Sequence, residues 1–223
     1  MPALAKPLLQ SVRWGLVRAE AVAWERYFCV DTREEAAERP LSLPTENIPY
    51  QPLPWYLVRR AIGALSLSSD DVFLDYGSGL GRALLMAAHH QLKRVLGVEF
   101  LYPLVKAAKD NLARAHHRLR SPVELVVADA AQFVVPDDVT VAYLFNPFVG
   151  KVMEAVQEQL KASLERRPRP LRVLYAHAGN QPDLFARRNW LPFSRQVGGG
   201  VFDRMNLTVY ESALSGTAPH AEM

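Results

Sequence analysis

Residues 71–88, DVFLDYGSGLGRALLMAA, constrain the fold more than any other stretch of this chain. An apolar run ends at Asp75, a loop with Gly77, Gly79 and Gly81 follows, and an Ala- and Leu-rich segment of helical character then begins. A strand apolar at successive positions is buried on both faces. Such a strand feeding a helix through a short loop opens a parallel crossover unit. The loop therefore lies at the carboxyl end of the strand, the edge where open parallel sheets bind ligands. Glycines there let a ligand approach the backbone. Free N–H groups at the helix start are expected to be open to a ligand's anionic group.

The rhythm continues downstream. RVLGVEF, VELVVAD, VTVAYLFN and LRVLYAHA are apolar and rich in β-formers, and the segments GRALLMAAHHQL, PLVKAAKDNLARAHHRL and VGKVMEAVQEQLKASLERR are helical in pattern. This alternation predicts an α/β class fold with a doubly wound, mostly parallel sheet. After the fifth strand, DLFARRNW predicts a short helix. WLPFSRQV and VFDRMNLTVYES predict two strands joined by a turn at residues 198–200, making seven strands. Upstream, PWYLVRRAIGALSLS predicts a helix with Trp55, Leu57, Val58, Ile62 and Leu65 inward. The first 30 residues carry Leu9, Val12, Leu16, Val17, Val22, Trp24 and Phe28 at helical spacing, with Pro7 in the first turn, and a polar, proline-rich connector follows. The expected organisation is a helical extension and connector over 1–49, a domain over 50–212 and a flexible tail over 213–223.

Composition narrows the function classes. Of 223 residues, 49% are hydrophobic and 22% charged, which suits a globular domain and excludes disordered, collagenous and coiled-coil chains. No apolar run approaches the ~20 residues of a membrane span, and no secretory signal is expected at the N-terminus. The single cysteine, Cys29, excludes an intrachain disulfide and a multi-cysteine zinc site. It is expected to be a small apolar core residue in a cytoplasmic protein. A net charge of +3 is too small to indicate nucleic-acid binding.

Two further acids fall at strand ends. Glu99 closes the second strand, 24 positions after Asp75, where an acid accepts both hydroxyls of a ribose. Asp129 closes the third strand, where its carboxylate or the Ala130 backbone could accept from an adenine amine, or where it could simply cap a turn. A dinucleotide fingerprint would place its third glycine one position later than Gly81, and Asp75 would repel a pyrophosphate. A carboxylate there better suits a ligand carrying an ammonium. No G-x-x-x-x-G-K-[ST] occurs, excluding a Walker-type site.

With DYGSGLG, GVEF and VADA in this order, residues 50–212 resemble the class I, seven-β-strand S-adenosylmethionine-dependent methyltransferases. The resemblance implies a sheet of order 3-2-1-4-5-7-6 with the last strand antiparallel. It implies an S-adenosyl-L-methionine site on Asp75, Gly77, Ser78, Gly79, Glu99, Asp129 and Ala130. Asn146-Pro147-Phe148 ends the fourth strand and resembles the N-P-P-[YF] motif of amino-group methyltransferases, with one proline in place of two. It also resembles the N-N-F segment of the non-SET histone-lysine enzymes, the closest type in motif pattern. By that resemblance Asn146 touches the cofactor and positions a nucleophile, nitrogen favoured, of a small-molecule or protein acceptor. Tyr50 lies where relatives close a lid over the cofactor. A nicotinamide-dependent oxidoreductase and a non-catalytic, cofactor-binding interaction protein stay open as alternatives. The doublets His89-His90 and His116-His117 read as helix-end residues, His177 as a packed residue or a base, and Arg166, Arg167 and Arg169 as a solvated loop. No metal site is expected.

Overall fold

The computed structural model describes residues 5–33, 50–178, 183–186, 188–197 and 205–213. The expected 198–200 turn and the tail beyond 213 lie outside these residues. The chain runs α1 (Ala5–Phe28), α2 (Trp55–Gly63), β1 (Val72–Tyr76), α3 (Arg82–Ala88), β2 (Arg94–Glu99), α4 (Tyr102–Ala115), β3 (Val123–Val127), β4 (Val141–Phe145), α5 (Gly150–Arg166), β5 (Arg172–Ala178), β6 (Phe193–Gln196) and β7 (Met205–Glu211). The seven strands form one sheet of order β3-β2-β1-β4-β5-β7-β6. β1 to β5 are parallel neighbours, and β7 is antiparallel to both β5 and β6.

β1 is central, and all five of its residues are buried. Its odd positions face α2 and α3, where Phe73 packs with Trp55, Ile62, Leu84 and Tyr143. Its even positions face α5, where Leu74 and Tyr76 pack with Met153, Val156 and Phe148. By this parity Asp75 belongs to the α2–α3 face. α2 presents Trp55, Leu57, Val58, Ala61 and Ile62 inward as its spacing predicts, and Leu65 is fully buried just beyond it.

α1 forms where its spacing predicts a helix; among its described side chains Val12, Leu16 and Val22 are each at least half exposed, and Trp24 and Phe28, near its end, stack on Trp55. Several expectations are corrected. Cys29 is exposed with φ +59, because it ends α1 where the chain reverses. β3 is an edge strand and is only partly buried, unlike its apolar neighbours. The described part of residues 183–190 forms turns instead of a helix. Arg169 is buried: it donates to the carbonyls of Val139, Ser163 and Arg167, bracing the β4 and β5 entrances. Among the described residues no helix is long and apolar enough to cross a membrane.

Candidate active site

The carboxyl ends of β1, β2, β3 and β4 and the segment before α2 enclose one cavity. Tyr50, Asp75, Gly77, Ser78, Glu99, Asp129, Ala130 and Asn146 all line it. The remaining sequence-predicted residue, Gly79, bridges two of them.

The glycine loop turns its N–H groups inward. Gly77 and Ser78 both donate to the Val98 carbonyl, at 2.9 and 3.1 Å. Gly79 donates to Glu99 Oε2 at 3.0 Å, and Gly81 to the Ser78 carbonyl at 2.9 Å. These four N–H groups are spent inside the protein, because the loop folds back over β2 and buried N–H groups must be paired. Gly77 and Gly79 have φ of +70 and +53, in the left-handed region. A Cβ on Gly77 would lie 2.6 Å from Pro147 Cβ, and one on Gly79 would overlap the Tyr50 ring. The two glycines thus seat site residues as well as bending the chain.

The two central acids differ. Asp75 is 3% exposed; burial holds its carboxyl well above the ordinary range, the negative Glu99 adds to this, and no hydrogen-bond donor offsets either. A buried carboxyl of this kind is poised for a cation. Glu99 accepts at both oxygens, from Gly79 and from Leu101 at 2.9 Å. Burial still raises its pKa, although those bonds pull the other way. Asp129 accepts from the Ala131 N–H at 2.9 Å and from Gln132 Nε2 at 3.3 Å, so its carboxylate caps its own turn. Ala130, beside it, is buried and lines the cavity.

At the end of β4, Asn146 has φ +37, a strained value for a residue with a Cβ. Its N–H donates to the Ala176 carbonyl at 2.9 Å, which fixes the turn. Its side-chain Oδ1 is buried without a hydrogen-bond partner among the described residues, as are Ser78 Oγ and the Tyr76 hydroxyl. Pro147 leans on Gly77, and Phe148 packs edge-on to Tyr76 at 6.3 Å.

Residues not singled out in the sequence also line the cavity. Tyr143 pairs in register with Asp75 across β1 and β4, so it shares the acid's face. Phe100 follows Glu99 and is half exposed at the mouth. Arg82, the first residue of α3, is buried among carbonyls and a carboxylate. Only the strand register could have revealed Tyr143; nothing local marked Arg82. His177 is buried, stacked on Tyr175 at 4.9 Å, and is not among the residues that line the cavity.

Residues 74–164 match a family described as a methyltransferase domain. The chain is similar to a protein-lysine N-methyltransferase of Saccharolobus islandicus (strain REY15A), 27% identical over 165 residues covering 74% of this chain and 92% of that protein. Its structure is similar to an RNA methyltransferase from Salinibacter ruber in complex with S-adenosyl-L-homocysteine, with TM-score 0.51 and 25% identity over 76% of this chain and 97% of that one. A Streptococcus thermophilus rRNA methylase shares the fold, with TM-score 0.51 and 14% identity over 73% of this chain and 98% of that one.

Proposed function

We propose, for a chain that is a class I S-adenosylmethionine-dependent methyltransferase and uses S-adenosylmethionine as its methyl donor, that the acceptor is an amine and that Asn146 positions it. The observation that carries this reading is the buried, unpartnered Asn146 Oδ1 on a strained turn, in the same cavity as Asp75 and Glu99. A carbonyl oxygen accepts and does not donate, so its complement is a donor, an N–H or an O–H. The named activity of the 27%-identical relative, protein-lysine N-methylation, points the same way.

The chain's own residues fit the cofactor. Asp75 supplies a desolvated carboxylate for an ammonium, and Glu99 supplies acceptors for two ribose hydroxyls while bracing the loop through Gly79. The Ala130 backbone would meet the base, and Phe100 would offer it an aromatic surface at the mouth. Gly77 and Ser78 form the floor, and the Tyr50 ring covers the loop at Gly79. S-adenosylmethionine, when bound, would supply an electrophilic methyl on a positively charged sulfur: a neutral amine would form the C–N bond as the C–S bond breaks, with S-adenosylhomocysteine as the leaving group and the product ammonium giving its proton to solvent. The protein's task is then alignment and exclusion of water. Asn146 would accept one amine N–H and so turn the nitrogen lone pair inward, while Tyr143 and Phe148 wall the approach. The acceptor class proposed is a primary amine, either a lysine side chain or a small molecule.

Incubation with labelled methyl donor and fractionated proteins, small molecules and RNA tests this reading. The expected product carries an acid-stable N-methyl group in the protein or small-molecule fraction. Label confined to RNA, or to oxygen, would overturn it.

A further inference from the structure

The segment that joins α1 to the rest of the chain carries more buried polar bonding than an accessory helix needs. Thr32 is fully buried and is bonded at every polar atom. Its N–H donates to Glu25 Oε2 at 3.0 Å and its hydroxyl donates to Glu25 Oε1 at 2.6 Å. The same hydroxyl accepts from Arg82 Nε at 2.8 Å. Its carbonyl accepts from an Arg82 terminal nitrogen at 3.0 Å and from the Tyr50 hydroxyl at 2.7 Å. Glu25 Oε1 also accepts from Arg82 and from Trp55 Nε1, both at 3.1 Å, and Arg82 lies over the Trp55 ring at 5.0 Å.

One residue earlier, Asp31 is bolted to the glycine loop. Asn111 of α4 accepts from the Asp31 N–H at 3.2 Å and donates through Nδ2 to the Asp31 carbonyl and to the Leu80 carbonyl, each at 3.0 Å. The chain at 31–32 is therefore held on one side by Leu80, inside the loop, and on the other by Arg82, the residue that follows it.

We infer that the C-terminal end of α1 is a working part of the cofactor site, in which Glu25 and Thr32 act as positioning residues that hold Tyr50 over the glycine loop. Among the described residues the Tyr50 hydroxyl is anchored at the Thr32 carbonyl. Its ring occupies the space that a side chain on residue 79 would fill, and its hydroxyl is tied to a carbonyl whose position Glu25 and Arg82 fix. A Tyr50 released from Thr32 would lose its seat against Gly79 and open the cavity at that wall. A purely structural ion pair would not need to converge on the one carbonyl that a cavity-lining tyrosine uses. The inference rests on the cofactor reading above and adds to it which remote groups set cofactor affinity.

A double-mutant cycle on S-adenosylhomocysteine affinity, measured by calorimetry with the full chain, tests this. Thr32→Val removes the hydroxyl that joins Glu25 to Arg82, and Tyr50→Phe removes the anchor while keeping the ring. Each single change should weaken binding about tenfold. The double change should weaken it little more than either alone, and Thr32→Ser, which keeps the hydroxyl, should restore parental affinity. Glu25→Gln should behave like Thr32→Val; if it fails to fold, the Thr32 pair carries the test. Parental affinity in Thr32→Val with only a lowered melting temperature would overturn the inference. So would losses that multiply in the double variant, since independent effects need no shared path. Failure of the unmodified protein to bind the ligand would instead sink the cofactor reading itself.

Discussion

At the ends of β1 and β2 the backbone is already paired, whereas at the end of β4 a side-chain acceptor is not. Gly77, Ser78 and Gly79 spend their N–H groups on Val98 and Glu99, and Glu99 is held at both oxygens. In that half of the cavity the backbone is paired, and the largest unmet demand is for charge: Asp75 is desolvated with no donor among the described residues, while Ser78 Oγ beside it is also without a partner. Asn146 sits on a left-handed turn with its Oδ1 buried and unmet. The difference teaches how the labour divides. On the function proposed above, a resident ligand with an ammonium and hydroxyls would complete the first half, and a transient N–H the second. Strain and an orphaned acceptor mark the part that changes partners in each turnover.

Asn146→Gly should break the second half alone. Glycine keeps the positive φ, so the melting temperature should hold or rise, while single-turnover methyl transfer should fall about 100-fold, the scale of losing reactant alignment. A parental rate would make Asn146 a turn residue and erase the contrast between the halves. Asp75→Asn should break the first half alone. S-adenosylhomocysteine affinity should drop roughly 30-fold, or ~2 kcal/mol, the range for a hydrogen bond to a charged group. Stability should not fall, because no carboxyl then needs burying.

The pH dependence sharpens the same point. Burial, with help from Glu99, keeps the Asp75 proton on to higher pH than in the unfolded chain. The free protein should therefore lose stability as pH rises from the ordinary carboxylate range through that raised pKa. A ligand ammonium needs the carboxylate, so binding expels the proton. Affinity should climb with pH by no more than about tenfold per unit and then level off. Titrations in buffers of different ionisation heat measure the released proton, and Asp75→Asn should abolish it. The smallest effect is expected for Glu99→Gln. It should weaken cofactor binding by about tenfold and cost roughly 1 kcal/mol of stability, because the Gly79 or Leu101 N–H loses its acceptor. A loss of stability with unchanged affinity would make Glu99 a loop brace only.

The order and direction of all seven strands were legible, the alternation from the apolar runs and the sheet order from the family resemblance to DYGSGLG, GVEF and VADA. The three strand-end acids were legible because each closes an apolar run, and Asn146 because it closes the fourth. The turn cap made by Asp129 was one of the two roles its position offered. The bond from Gly79 to Glu99, 20 residues away, was not legible, because it depends on how the loop folds back over β2. Arg169 escaped because a buried arginine among carbonyls carries no periodic mark, and it sits in sequence beside the more exposed Arg166. The Glu25–Thr32–Arg82 cluster escaped for a related reason: its members lie up to 57 positions apart and meet only once α1 packs against α2.

Calorimetric titration of S-adenosylhomocysteine into Asp75→Asn and Asn146→Gly proteins, side by side with the parent, tests the division between the two halves most directly. The account predicts roughly 30-fold weaker binding for Asp75→Asn and an affinity within about threefold of the parent for Asn146→Gly. Equal losses in both, or loss in Asn146→Gly alone, would contradict it.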